Sequence, residues 1–300
     1  MHKGRAEDIL ARRHTNGLFG KVQLILTSPP FPLVRQKEYG NLSGQPYIDW
    51  LLQFTGIFRR LLKRNGSIVL EIGNAWRQGS PTMSLVPIKS LLEFADKGRF
   101  HLCQEFIWFN PARLPSPAQW VNVKRVRVKD SFTRFWWIAP SENPKSNNRR
   151  VLNQYSASMQ TLLRRQSYNS GLRPSGYKIG KKSFLTNNGG SIPPNVLSIS
   201  NTASNDNYNR CCQEHGLRPH PARMPVQVAE FFIKLLTTPG DLILDPFAGS
   251  NTTGYAAERH ERYWVSIEQE LEYGLASAAR FTKYTATNAN ENKAVRRGVK

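Results

Sequence analysis

Two apolar runs near opposite ends of this chain each stop abruptly at a loop, and that pair constrains the fold more than any other feature. Val22 to Leu26 runs into Thr27-Ser28-Pro29-Pro30-Phe31. Leu242-Ile243-Leu244 runs into Asp245-Pro246-Phe247-Ala248-Gly249-Ser250-Asn251-Thr252-Thr253-Gly254. Neither run alternates cleanly between apolar and polar residues, so each reads as a strand buried on both faces, as in the middle of a parallel sheet. In open α/β sheets ligands bind at the carboxyl ends of such strands.

The rest of the chain fits that architecture. Tyr47 to Leu62 has helical spacing, with Trp50, Leu51, Phe54, Ile57, Phe58, Leu61 and Leu62 on one broad face, and Asn65-Gly66 is expected to stop it. Ser67 to Gly73 reads as the next strand, Leu85 to Ala95 as a helix, and Leu102 to Phe109 and Phe132 to Ala139 as aromatic-rich strands. After Pro225 come a helix at Val226 to Leu236, a strand at Asp241 to Leu244, a helix at Thr252 to His260, a strand at Trp264 to Glu268 and a helix at Leu271 to Phe281. Alternating strands and helices predict a parallel α/β sheet with helices on both faces. Residues 141–219 differ: they are rich in Ser, Asn, Gly, Pro and Arg, too long for a plain loop, and read as an irregular insert. The expected division is 1–140, the insert 141–219, 220–281, and a polar, basic tail over 282–300.

Composition points to the partner. Among 300 residues, 42 Lys and Arg face 21 Asp and Glu, a formal net charge of +21. A nucleic acid is the polyanion that such a balance suits. The three cysteines, Cys103, Cys211 and Cys212, have no disulfide or zinc spacing. The opening residues do not form a secretion signal, and no apolar stretch is long enough to span a bilayer. A reducing cytoplasm is the expected setting.

The two loops together resemble the amino-methyltransferases of DNA, whose catalytic signature is Ser/Asp/Asn-Pro-Pro-Tyr/Phe and whose cofactor signature is Asp-Pro-Phe-x-Gly-Ser-Gly-Thr-Thr. The catalytic segment precedes the cofactor segment here, as in the circularly permuted class called beta, and Ser-Pro-Pro-Phe most resembles the cytosine-N4 enzymes. The resemblance implies a Rossmann-like fold that uses S-adenosylmethionine on double-stranded DNA. It implies no metal, and a monomer or weak dimer whose cognate restriction endonuclease is a functional counterpart. N6-adenine methylation on the same scaffold, and a DNA-binding relative without activity, stand as alternatives.

The chemistry follows from the residues. A base's amino group is a poor nucleophile because its lone pair is delocalised into the ring. Two acceptors on the amino hydrogens would return density to nitrogen; Ser28 Oγ and the Pro29 carbonyl are placed for this, with Pro30 stiffening the turn. Phe31 offers a ring face to a flipped base. On the cofactor side, Gly249 allows close approach of backbone. The resemblance adds Thr27, Asp245, Pro246, Phe247, Ser250 and Thr252 to that side, and Glu268 as the acceptor for ribose hydroxyls, with a plain surface acid as the other reading. Asn251 stands where the commoner pattern has Gly. His220 to Pro225 is read either as touching the methionine end of the cofactor or as a Pro-rich lead into a helix. Lys124, Arg125, Arg127 and Lys129 are expected on one strand face, either contacting DNA phosphates or solvated. No cysteine follows a Pro, as the nucleophile of the C5-cytosine enzymes does, so all three are read as packing residues. Only Met1, His2 and Lys3 precede the Gly4 to Asp8 segment, where the family usually has a whole strand, so that sheet edge is expected to be short or missing.

Overall fold

The computed structural model describes residues 1–33, 42–202 and 206–281; the tail expected over 282–300 lies outside the described residues. Contacts divide the chain into two compact units, Met1–Ser146 with Asn195 onward, and Asn147–Pro194. In chain order the larger unit begins with β1 (His2–Lys3), α1 (Ala6–Ala11), β2 (Val22–Thr27), α2 (Gly44–Leu52), α3 (Phe54–Leu61), β3 (Leu62–Gly73), α4 (Val86–Lys97), β4 (His101–Phe109) and β5 (Phe132–Ala139). The smaller unit holds α5 (Ala157–Arg165), β6 (Gly171–Leu172) and β7 (Lys178–Ile179). The larger unit resumes with β8 (Val196–Ser198), α6 (Asn207–Glu214), α7 (Val226–Leu236), β9 (Leu242–Asp245), α8 (Thr252–Arg259), β10 (Tyr263–Glu268) and α9 (Leu271–Ser277).

Among the described residues the sheet of the larger unit has eight strands in the order β1-β10-β9-β2-β3-β5-β4-β8. Every residue of β2 is buried, which is why its sequence does not alternate, and it sits in mid-sheet between β9 and β3, parallel to both. Helices cover both faces. On one, Phe54 and Phe58 of α3 meet Phe94 of α4 in a core that includes Leu61, Ile68 and Leu70. On the other, Phe232 of α7 packs at 5.2 Å, between ring centroids, from both Phe106 and Phe135.

Three expectations need correction. The front half is not wholly parallel, because β5 runs antiparallel to both β3 and β4. Residues 110–131 supply no crossover helix to carry the chain back for a parallel return. The helix expected over Tyr47 to Leu62 breaks at Gln53, and Asn65-Gly66 lies inside β3 instead of ending a helix. There the Asn65 carbonyl accepts from Gln23 Nε2 at 3.0 Å and from the Lys145 N–H at 2.9 Å, partners distant in sequence. The separable unit is narrower than 141–219: β8 joins the main sheet beside β4, and Tyr208 and Cys212 of α6 pack with Leu217 and Ala276. The first edge is short but formed, with His2 and Lys3 paired to Ile267 and Glu268.

Asp241, 5% exposed, anchors the turn before β9. Burial would raise its pKa, but hydrogen bonds from Lys145 Nζ (2.5 Å), the Thr238 N–H (2.8 Å) and Lys63 Nζ (3.0 Å) outweigh it and hold the carboxyl at about 2. A lowered folded-state pKa contributes stability above the ordinary carboxylate range, and loses it as pH falls through the folded value. Asp241→Asn is therefore expected to cost about 2 kcal/mol at neutral pH. Urea denaturation should show that gap closing between about pH 4 and pH 2; a penalty undiminished at the acid end would contradict this account.

Candidate active site

The two loops singled out in the sequence meet because β2 and β9 are neighbours. At their carboxyl ends, Thr27 Oγ1 donates to Asp245 Oδ1 at 2.8 Å, and the Phe247 N–H donates to the same oxygen at 3.1 Å. Thr27 is fully buried and does not line the cleft; it holds the carboxylate that does. Burial pushes the Asp245 carboxyl up to about 6, against hydrogen bonds from Thr253, Thr27 and Phe247 that favour its charge.

Gly249 has φ +51°, and its N–H donates to Glu268 Oε2 at 2.7 Å. The Glu270 N–H donates to Glu268 Oε1 at 2.8 Å. A Cβ at Gly249 would lie 3.0 Å from His220 Nε2. Asn251 is also left-handed, at φ +54°, a conformation Asn accepts more readily than most residues. As the N-cap of α8, its Oδ1 accepts from the Gly254 N–H at 3.2 Å and from Ser266 Oγ at 2.7 Å, so the departure from Gly gives the loop a side-chain clasp. Arg280 donates from Nε to the Ser250 carbonyl at 2.6 Å and from Nη2 to Ser250 Oγ at 3.0 Å. The Phe247 ring lies 5.4 Å from Trp50 and 5.2 Å from Phe54.

On the catalytic side the sequence reading missed a residue. Glu71 of β3 is 4% exposed, and its carboxylate accepts hydrogen bonds from the Ser28 hydroxyl and, at 3.0 Å, from Thr133 Oγ1. Burial pushes it up to about 7, against the pull of those bonds and of the nearby Arg113 guanidinium. The signal was an acid within the apolar run Ile68-Val69-Leu70-Glu71-Ile72. Pairing of Thr27 with Leu70 sets Ser28 level with Glu71. Phe31 owes its place to Gly73, where a Cβ would come within 2.5 Å of the ring.

Ser28, Phe31, Asp245, Phe247, Gly249 and Glu268 line one cleft of about 680 Å³, together with Pro29, Pro30, Pro246, Ser250, Thr252 and the segments 4–7 and 220–224, while Glu71 lies buried behind Ser28. His220 faces the cleft, with burial pushing the imidazole down to about 4, so the ring is neutral at pH 7. Its backbone N–H donates to Tyr208 Oη at 3.0 Å. Lys124, Arg125, Arg127 and Lys129 are not on a strand. They occupy an exposed loop after a π-helical turn, because Arg125 takes φ +54° and the chain there pairs with no strand. Burial raises the thiol pKa of Cys103, Cys211 and Cys212. Among the described residues no group of three His, Cys, Asp or Glu is placed to hold a metal, and no helix is long and apolar enough to cross a membrane.

A family model described as DNA methylase matches residues 22–278. The Type II methyltransferase M.PvuII of Proteus hauseri is 47% identical over 262 residues, 87% of this chain and 78% of the relative. M.ScaI of Streptomyces caespitosus is 29% identical over 252 residues, 83% of this chain and 71% of the relative. Among solved structures, the cytosine-N4-specific PvuII DNA methyltransferase superposes with a TM-score of 0.76 at 38% identity, covering 98% of this chain and 90% of that one. The M1.HpyAVI–SAM complex shares the fold, with a TM-score of 0.54 at 20% identity over 94% and 98% of the two chains.

Proposed function

The chain belongs to the DNA methylase family, and on that footing we propose that it transfers a methyl group from S-adenosylmethionine to the N4 amino group of a cytosine flipped out of duplex DNA. The observation that carries this reading is that Ser28, backed by a hydrogen bond to the buried Glu71, and the Asp245 to Gly249 turn line one cleft. The cytosine assignment is supported by the Ser-Pro-Pro-Phe segment and by the named specificity of the PvuII enzyme.

The residues fit the cofactor. The cleft has the size of a small-molecule site. Gly249 brings backbone to the cleft wall where a side chain would press on His220, and Glu268 keeps spare lone pairs for ribose hydroxyls after accepting two backbone N–H groups. Phe247 supplies an apolar wall backed by Trp50. S-adenosylmethionine supplies the methyl group on a sulfonium, open to attack by an amine. The chain's own work is on that amine. Ser28 gives its hydroxyl proton to Glu71, so its oxygen lone pairs are turned outward to accept an amino hydrogen. The Pro29 carbonyl takes the other, and the Phe31 ring stacks on the base. Glu71, near 7, is tuned to accept the proton that passes through Ser28.

The smaller unit carries Arg149, Arg150, Arg164, Arg165, Arg173, Lys178, Lys181 and Lys182 with no Asp or Glu. It serves as the target-recognition part, its cations drawn to phosphates. The protein acts in the cytoplasm as a monomer or weak dimer, and a cognate endonuclease would be its counterpart in function, not necessarily in complex.

Purified protein incubated with S-adenosylmethionine and mixed-sequence duplex DNA is expected to yield N4-methylcytosine when the DNA is digested to nucleosides and weighed. N6-methyladenine would overturn the choice of base. Cofactor binding with no methylated base from any duplex would overturn the choice of substrate.

A further inference from the structure

The loop between β4 and β5 inverts what its sequence pattern suggests. Residues 114–129 contain four cations and no acid, with valines alternating among the Lys and Arg. On a strand this would send cations to one face and valines to the core. In the loop, two of the basic side chains brace the backbone instead: Lys129 Nζ donates to the Pro111 carbonyl at 3.0 Å and the Arg113 carbonyl at 3.2 Å, and Arg127 Nε to the Pro81 carbonyl at 2.7 Å. Backbone bonds from Val126 to Trp120 and from Asp130 to Ser116, both 2.9 Å, close the loop on itself. The apolar side chains are left in water: Leu114 is 81% exposed, Val123 69%, Val126 58% and Val128 87%.

Four exposed apolar side chains on one short, braced, cationic loop offer surface for a partner to cover. The active-site cleft points to that partner. Arg113, Asn74 and Ser28 all line the cleft, and Leu114 follows Arg113 in the chain, so the loop starts at the cleft wall. Asn74 Nδ2 donates to Asp130 Oδ1 at 2.9 Å, tying the end of the loop to a cleft residue, and Arg113 Nη1 donates to the Phe132 carbonyl at 3.3 Å, joining the loop's start to its end. Extruding a base leaves a gap in the stack, and apolar wedges are what proteins insert at unstacked steps.

We propose that Leu114 is the wedge that fills the duplex at the position vacated by the flipped cytosine, while Lys124 and Arg125 of the same loop face the flanking phosphates. This rests on the DNA methyltransferase reading above. A wedge acts on the cost of flipping, so its loss should hurt most when the target is properly paired and least when it is mispaired, because a mispaired base is already cheap to extrude.

The test uses the full-length protein on a duplex at which the wild type forms N4-methylcytosine, and on the same duplex with the target cytosine opposite adenine. Leu114→Ala should lower kcat/KM roughly 10- to 100-fold on the paired duplex and lie within about threefold of wild type on the mispaired one. Its affinity for S-adenosylmethionine should be unchanged. Val128→Ala, equally exposed but not adjoining a cleft residue, is the control and should act alike on both. An equal loss on both duplexes for Leu114→Ala, or a mismatch-rescued loss at Val128 alone, would overturn the assignment. No methylation of any duplex by the wild type would remove the substrate reading itself, a result distinct from a failed rescue.

Discussion

Replacing Ser28 by Ala is expected to lower kcat about 100-fold or more while leaving the Kd for S-adenosylmethionine within about twofold. On the proposed reading Ser28 stands on the amine side of the cleft, while the bonds that hold the turn from Asp245 to Gly249 join Thr27 and the Phe247 N–H to Asp245 and the Gly249 N–H to Glu268. Single-turnover rates with calorimetric Kd values separate the two effects; retained turnover would remove Ser28 from the chemistry. Glu71→Gln extends the test. Burial pushes Glu71 up to about 7, and only its ionised form can accept the Ser28 proton. The wild-type rate should therefore climb as pH rises through about 7 and level off above it, because the carboxyl loses its proton in that direction. Glu71→Gln should be slow across the range and lack that limb. A limb that survives the substitution belongs to another group; Asp245, pushed up to about 6, is the next candidate.

Gly249→Ala should damage the other side of the cleft. The backbone there has φ +51°, which costs a non-glycine residue about 1 kcal/mol or more, and the new Cβ would press 3.0 Å from His220 Nε2. His220 has little room to yield, since its ring packs edge-on against Tyr273 at 4.6 Å and its backbone is tied to Tyr208. The Gly249 N–H also steadies Glu268, so a shift of the turn moves the acid with it. The Kd for S-adenosylmethionine is expected to rise at least about tenfold, with kcat at saturating cofactor little changed, because 1.4 kcal/mol of lost binding is a factor of ten. A variant with normal Kd and reduced kcat would show that this turn serves the chemistry and not the cofactor.

Which parts of the site were legible follows from how each residue is placed. The Thr27 to Phe31 and Asp245 to Gly254 loops could be read because each is a local device: a buried strand, a stop, and residues whose backbone limits are intrinsic. Proline lacks an N–H anywhere, and glycine accepts positive φ anywhere. Glu71 was only half legible. An acid inside an apolar strand stands out, but its partner is set only when pairing with β2 brings it level with Ser28. The basic loop was misread for a related reason: alternation predicts a face only if the segment joins a sheet, and this one does not. Residues 195–219 look like the insert by composition, yet Tyr208 and Cys212 find their core in Leu217 and Ala276, which no local pattern announces.

By itself, then, the sequence determined the class of fold, the two strand-end loops, their order along the chain and the excess of positive charge, since these depend on what each residue does within its own few neighbours. The tertiary structure decided which acid meets Ser28, that β4 and β5 run antiparallel, where the separable unit begins and ends, and which side chains of the basic loop face water. Each of those depends on a partner far off in the chain, and the free energy that selects such partners comes from burial and hydrogen bonding that exist only once the sheet is assembled.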